Sequence, residues 1–245
     1  MRTSKIEWTE RTWNPVTGCT KLSEGCRNCY AEVMAHRLEA MGKKKYANGF
    51  NVTCHVYALA EPLYNPKPSL YFVCSMADLF HELVPDYFID EVMRTIENSP
   101  KHTFQILTKR ARRMHKYFEY NSIPKNVWLG VTVEKRSELF RVEFLSELKA
   151  PIRFLSCEPL LGRLDLDLEN IDWVIVGGES GPHARPMKPE WVKSIWEQAY
   201  AQRIPFFFKQ WGTYGPDGVK RSKQANGKEL DGRIVQQMPN WDDAP

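Results

Sequence analysis

The feature that most limits what this chain can fold into is a recurring alternation: a short, continuously apolar run, then a longer segment with helical spacing. Six such runs occupy residues 70–74, 103–107, 127–133, 152–155, 173–176 and 205–208, each rich in β-branched or aromatic side chains. Runs of this length, bounded by polar residues, read as strands. They are apolar throughout rather than at every second position, so both faces of each strand need cover, as in a parallel sheet. Helical spacing over 87–97, 136–148 and 190–202 supplies crossovers, the last opened by Pro189, a residue suited to a first helical turn. Strand, helix and parallel strand in succession is the α/β pattern. With 6–8 or 55–60 as further strands, six to eight units come close to closing. The expected fold is a full or partial (β/α) barrel with parallel strands rather than an open doubly wound sheet. At 245 residues, one barrel-like domain over 1–212, including a cysteine loop at 13–30, accounts for most of the chain. Residues 213–245 read as a loop and hairpin extension that could cap a pocket.

In parallel barrels the loops at the C-terminal strand ends build the active site. Here every such end is polar. Cys74-Ser75-Met76-Ala77-Asp78 follows the first run, Thr108-Lys109-Arg110 the second, Thr132-Val133-Glu134 ends the third and Ser156-Cys157-Glu158-Pro159 follows the fourth. Gly177-Gly178-Glu179-Ser180-Gly181 and Lys209-Gln210-Trp211-Gly212 follow the last two. One polar end is ordinary, because any strand must stop in something hydrophilic. Six of them describe a converging pocket and make 1–212 a catalytic domain.

No stretch approaches the roughly eighteen apolar residues a membrane span needs. The start, Met-Arg-Thr-Ser-Lys-Ile-Glu-Trp, lacks the apolar core of a signal peptide. The expectation is a cytoplasmic protein with no membrane partner. A reducing cytosol disfavours disulfides, and of six cysteines three crowd into residues 19–29 while Cys54, Cys74 and Cys157 are scattered. Clustering points to a metal. The net charge of +4 neither demands nor excludes a nucleic acid. Lys43, Lys44 and Lys45 form one basic run, and Lys109, Arg110, Arg112, Arg113, His115 and Lys116 another; both read first as solvated faces.

Gly18-Cys19-Thr20-Lys21-Leu22-Ser23-Glu24-Gly25-Cys26-Arg27-Asn28-Cys29-Tyr30 has the spacing C-x6-C-x2-C. The two-residue gap lets Cys26 and Cys29 grip one centre from a tight turn, and Gly18 and Gly25 ease the bends that bring Cys19 round. A structural zinc site closes with four ligands and would need His36, His55 or a scattered cysteine as its fourth. A [4Fe-4S] cluster held by three cysteines leaves one iron open to a small ligand. Incidental thiols or a redox pair are the remaining reading. Residues 31–41 have helical composition, so the loop leads into a helix whose N-terminus offsets negative charge.

Trp13-Asn14-Pro15-Val16-Thr17-Gly18-Cys19, followed by Gly25-Cys26-Arg27-Asn28-Cys29-Tyr30-Ala31, resembles the signature of an uncharacterised family of phage-encoded three-cysteine proteins. Phe104-Gln105-Ile106-Leu107-Thr108-Lys109-Arg110, Leu129-Gly130-Val131-Thr132-Val133-Glu134, Ser156-Cys157-Glu158-Pro159-Leu160 and Gly177-Gly178-Glu179-Ser180-Gly181 are similar to its later blocks. That family in turn resembles radical S-adenosylmethionine enzymes, in which a three-cysteine loop near the chain start binds [4Fe-4S] above a partial (β/α) barrel. The first gap is longer than the usual C-x3-C-x2-C and matches variant members. Gly177-Gly178-Glu179 follows a late strand, whereas the comparable stretch of those enzymes lies near the second.

The resemblance implies that Cys19, Cys26 and Cys29 bind the cluster and that its open iron is chelated by S-adenosylmethionine. One-electron reduction by an external electron donor then yields a 5'-deoxyadenosyl radical, which takes hydrogen from a substrate in the barrel. It places Tyr30 beside the adenine, with packing at a helix start as the alternative, while the polar strand ends put Ser75, Asp78, Thr108, Lys109, Thr132, Glu134 and Ser156 around the cofactor, and Gly177, Gly178 and Glu179 against either substrate or the adenosyl ribose. Glu158 is a carboxylate for ammonium, hydroxyl or base work, and Lys209 neutralises a carboxylate or phosphate. Cys157 is a thiol donor to a substrate radical, or a small buried residue. A small molecule or nucleotide is the expected substrate, with a nucleic acid as the larger alternative. Hydrolase and phosphate-loop readings fail, because neither G-x-S-x-G nor a P-loop lysine is present. The competing class is a zinc-stabilised nucleic-acid-binding or accessory protein without radical chemistry.

Overall fold

The computed structural model describes residues 4 and 6–239. The ends of the stretches read above for a signal segment and a cap, 1–3, 5 and 240–245, lie outside the described residues. The chain forms two compact units, one of Met1–Leu22, Cys29–Leu129 and Leu148–Pro151, the other of Ser23–Asn28, Gly130–Glu147 and Ile152–Pro245.

The first unit carries, in chain order, β1 (Arg11–Trp13), β2 (Val16–Thr17), α1 (Tyr30–Ala40), β3 (Thr53–Cys54), β4 (Leu70–Val73), α2 (Asp86–Glu97), β5 (Thr103–Thr108), α3 (Ala111–Phe118) and the start of β6 (Val127–Thr132). β1, β4 and β5 pair in parallel, with Arg11 opposite Tyr71 and Leu70 opposite Thr103. β2 and β3 make a separate antiparallel pair. Aromatic side chains lock the parallel strands together: Tyr71 stacks on Phe104 at 5.4 Å, and Trp13 meets the same ring edge-on at 5.6 Å. α2 follows Pro85 and buries Phe88, Ile89, Val92, Met93 and Ile96, the stripe that a 3.6-residue period makes continuous.

The second unit continues β6 and adds α4 (Phe140–Ser146), β7 (Ile152–Cys157), β8 (Trp173–Gly177), α5 (Pro189–Ala201), β9 (Phe206–Gln210), α6 (Lys223–Asn226), β10 (Glu229–Leu230) and β11 (Arg233–Ile234). β7, β8 and β9 are parallel, with Phe154 opposite Trp173 and Val174 opposite Phe206. β6 passes the Phe154 ring as Gly130, where a Cβ would lie 2.5 Å from ring carbons. β10 and β11 form the expected hairpin, and beyond it Val235 and Gln237 hydrogen bond to Phe208 and Phe206 of β9.

The hydrogen-bonded strand order is β1-β4-β5-β6-β7-β8-β9. Apart from the small β2 and β3 pair, neighbours in the sheet are neighbours in the chain, the order of a partial (β/α) barrel with parallel strands. The expected fold class is the observed one.

The seventh strand differs from both sequence candidates. It is Arg11–Trp13, while Val56–Ala58 closes into a 3-10 turn with Val56 and Tyr57 exposed. The helix expected over 136–148 divides into a 3-10 turn, Arg136–Glu138, and the short α4. β7 and β9 outrun their apolar runs because the ladder with β8 continues to Cys157 opposite Val176 and to Gly177 opposite Gln210.

Candidate functional site

In the first unit the residues after β4 and β5 gather around Arg110. Gly18, at φ +81, is held where a Cβ would stand 2.2 Å from the Asn51 carbonyl, so only glycine admits this entry to Cys19. Arg110 is buried and donates to Asp78 Oδ2 at 3.2 Å, to Glu82 Oε2 at 2.8 Å and to Thr20 Oγ1 at 3.0 Å. Its Nη1 also lies 3.5 Å from Cys19 Sγ. Burial would favour losing the Arg110 proton, but Asp78 and then Glu82 outweigh it and raise the pKa, so the guanidinium stays charged. Asp78 accepts further from Thr108 Oγ1 at 2.7 Å, Phe80 N at 3.0 Å and Lys109 N at 3.2 Å. Asp78, Thr108 and Lys109 are thereby brought together with Cys19.

Burial, seconded by Arg110, lowers the pKa of His81 and keeps its ring neutral. Nδ1 accepts from Leu83 N at 3.1 Å, which puts the proton on Nε2, the donor to Thr20 Oγ1 at 2.8 Å. Cys29 is the N-cap of α1 and makes no side-chain cap hydrogen bond; it packs beside Ala31, Ala35 and Met76. The exposed Tyr30 donates its hydroxyl to the Ser75 carbonyl, and Ser75 Oγ donates to Asn14 Oδ1 at 3.2 Å. Cys74 is buried in a left-handed backbone conformation, its thiol pushed up by burial to about 12.

In the second unit the carboxylates after β6 and β8 face the segment that carries Cys26. Glu134 is wholly buried and accepts from Ser23 Oγ at 2.5 Å and from Arg141 Nη1 at 2.8 Å. Arg141 also donates to the Thr132 carbonyl at 2.7 Å and pairs with Glu138 at 2.5 Å. Glu179 accepts from Asn28 Nδ2 at 3.1 Å and is gripped by Arg185 at 2.6 and 2.9 Å. Burial would raise its pKa, but the Arg185 hydrogen bonds prevail and hold it below the ordinary carboxylate value. Glu158 takes both Lys209 contacts, 2.6 and 2.8 Å, and reaches across Gly177, where a Cβ would be 3.2 Å from the carboxyl carbon. Gly178 is tighter still, with its Cβ position 1.8 Å from the Trp211 carbonyl. Ser156 and Cys157 are buried along β7, and burial raises the Cys157 pKa strongly, with Glu134 adding to it.

Cys19, Cys26 and Cys29 are half-buried, and no disulfide forms among the described residues. Among those residues no group of three or more His, Cys, Asp or Glu side chains is arranged to hold a metal ion. Besides the Arg110 contact, Cys19 Sγ lies 3.4 Å from the Thr20 carbonyl, and Cys26 Sγ lies 3.8 Å from Ser23 Oγ. Of the residues suggested for a fourth zinc ligand, the two histidines have other partners and the three cysteines are held toward the protonated form by burial. His55 bonds Thr17 Oγ1 at 2.8 Å, His36 pairs with Glu39, and burial pushes up the thiols of Cys54, Cys74 and Cys157. As a donor set, three thiols without a ready fourth partner fit a three-cysteine cluster.

Arg110, Arg141, Arg185, Asn28 and Ser23 organise these clusters, and none stood out in the sequence as more than a charge or a loop residue. The basic run at 109–116 reads as a solvated face, yet Arg110 is buried and Arg113 donates to the His81 and Val84 carbonyls and to Asp86. Arg110, immediately after a strand end, offered a positional signal.

The fold and residues define an α/β protein with the strand order of a partial (β/α) barrel and a three-cysteine loop leading into its first helix. The family model DUF5131, described as a protein of unknown function, matches residues 3–239, and the chain belongs to that family. No curated protein matches at a significant level. Two similar solved structures are spore photoproduct lyase complexed with dinucleoside spore photoproduct, at TM-score 0.47 and 11% identity, and a cysteine-to-serine mutant of spore photoproduct lyase, at 0.45 and 14%. Each match covers 82% of this chain but only 63% and 65% of the other, so this chain spans less than two thirds of either. No helix among the described residues is long and apolar enough to cross a membrane.

Proposed function

We propose that this chain is a radical S-adenosylmethionine-like iron-sulfur enzyme of phage or mobile-element type, with Cys19, Cys26 and Cys29 as the ligands of a [4Fe-4S] cluster. The observation that carries this reading is the donor set: three half-buried thiols on one loop, while the two histidines suggested for a closed four-ligand zinc site have other partners. When bound, the cluster with S-adenosylmethionine supplies one-electron chemistry, given an external electron donor.

The chain's own groups prepare for negative charge and for substrate. Arg110 holds a fixed cation against Cys19, and the uncapped N-terminus of α1 begins at Cys29. The exposed Tyr30 ring offers a face for an adenine, and Ser75, Asp78, Thr108 and Lys109 line the same unit's strand ends. Thr132, Ser156, Gly177 and Gly178 occupy the strand ends of the second unit. There Lys209 and Glu158 form a half-buried pair that opens to bind a carboxylate or phosphate. Cys157 is kept as S–H by burial, the form that gives up a hydrogen atom. The basic groups Lys43, Lys44, Arg112 and Lys116 favour a nucleotide or nucleic acid as the substrate class. The catalytic domain is 1–212, with 213–245 as its cap.

The test is replacement of single cysteines in anaerobically reconstituted protein. Cys19→Ser, Cys26→Ser and Cys29→Ser should each lose most of the bound iron, and Cys54→Ser should keep it. Equal iron in all four variants rejects the assignment.

A further inference from the structure

Glu134 and Glu179 are two of the carboxylates that the sequence places around a cofactor, and in the structure both bond to the segment that carries Cys26. Within the second unit they stand at the two ends of the segment Ser23–Asn28, which carries Cys26. At the front, Ser23 Oγ donates to Glu134 Oε1 at 2.5 Å, and a Cβ on Gly25 would fall 2.2 Å from that same oxygen. The loop therefore rests directly on the carboxylate. At the back, Asn28 Nδ2 donates to Glu179 Oε2 at 3.1 Å and to the His183 carbonyl at 2.8 Å. Between them Arg185 Nη1 donates to the Glu24 carbonyl at 2.9 Å while its Nε and Nη2 hold Glu179.

Hydrogen-bond capacity decides what is left for a ligand. A carboxylate accepts about four hydrogen bonds. Glu179 already receives Asn28 Nδ2, Arg185 N, Arg185 Nε and Arg185 Nη2. Three of these converge on Oε2, and Oε1 is held by Arg185 Nη2 alone, so an ammonium or ribose hydroxyl at Glu179 would have to share Oε1 with the Arg185 fork. Glu134 accepts from Ser23 Oγ on one oxygen and from the buried Arg141 on the other, and it is itself wholly buried.

We infer that Glu134 and Glu179 are positioning residues: a two-carboxylate clamp that fixes the Cys26 segment, with Asn28 and Ser23 as its handles, rather than ligands of a cofactor. The link to a cluster rests on the proposed function, whereas the clamp itself is a property of the metal-free chain. It explains why Asn28 stands inside the cysteine loop and why Gly25 precedes Cys26.

The experiment follows alkylation of each cysteine by iodoacetamide in the metal-free full chain, by peptide mass spectrometry. Asn28→Ala and Ser23→Ala should each speed labelling of Cys26 by about threefold to tenfold, the factor that losing one such hydrogen bond gives. Cys54 and the buried Cys157 report loosening of the first and second units, and their rates should not change. Glu179→Gln should speed Cys26 as well, and Asn28→Ala combined with it should give less than the product of the two effects, because the two share one contact. An unchanged Cys26 rate in both Asn28→Ala and Ser23→Ala overturns the clamp. So does a Glu179→Gln chain that loses affinity for S-adenosylmethionine after loading while its Cys26 rate stays at the wild-type value. Iron uptake by the wild-type chain tests the cluster separately; if it fails, that reading falls and the labelling rates still decide the clamp.

Discussion

Replacing Arg110 by methionine removes the cation at the centre of the first unit's strand-end cluster. The side chain is 4% exposed and its partner Asp78 8%, so this is a buried pair, and deleting one member of such a pair costs about 3–5 kcal/mol. Two features place the loss at the low end. Asp78 keeps the donors Thr108 Oγ1, Phe80 N and Lys109 N, so its charge is not stranded. Glu82 is 61% exposed and returns to water at little cost. Methionine also refills much of the space of the arginine stem. The expected loss is about 3 kcal/mol, a fall in melting temperature of about 6–12 °C for a chain of this size. Urea titration followed by tryptophan fluorescence measures it. Arg110→Lys keeps the charge but loses the fork that spans Asp78, Glu82 and Thr20, and should fall in between. A loss below about 1 kcal/mol for Arg110→Met refutes the view that this guanidinium holds Cys19 and its neighbours in place.

Gly178→Ala pushes a methyl to 1.8 Å from the Trp211 carbonyl, a backbone atom that cannot swing aside, and should cost at least about 3 kcal/mol in urea titration; a wild-type midpoint contradicts that packing. The carboxyl of Glu179 lies below its ordinary value of 4.5 when folded, so it contributes stability above that pH and loses it as the pH falls through the folded value. In Glu179→Gln the acid limb of the stability curve should therefore flatten; an unchanged limb in calorimetry from pH 7 to pH 3 speaks against the Arg185 pairing. Cys157→Ala should retain the cluster and cleavage of S-adenosylmethionine but lose product, and normal product formation removes the hydrogen-donor role.

The strands were legible because parallel strands buried on both faces leave continuous apolar runs, and 70–74, 103–107 and 127–133 fall on β4, β5 and β6 almost residue for residue. β1 was not, since Arg11 and Thr12 are polar and only Trp13 faces the core; its pairing with β4 is a tertiary fact. The segment 55–60 has strand-like composition, but its Val56 and Tyr57 remain exposed. The cysteine spacing and the polar strand ends supplied the candidate site residues, though not their partners. Burial of an arginine depends on which acid the fold sets opposite it, so Arg110 read as part of a solvated run, and Arg141 and Arg185 drew no reading at all. The same holds for Glu179: sequence shows a glutamate after two glycines, and only the fold shows Arg185 and Asn28 filling it.

The most direct measurement is anaerobic reconstitution of the purified chain with iron and sulfide, followed by reduction in the presence of S-adenosylmethionine. The proposed function requires about four irons per chain, as one cubane cluster contains, charge-transfer absorption, and release of 5'-deoxyadenosine. Stoichiometric zinc with no iron uptake and no 5'-deoxyadenosine contradicts it.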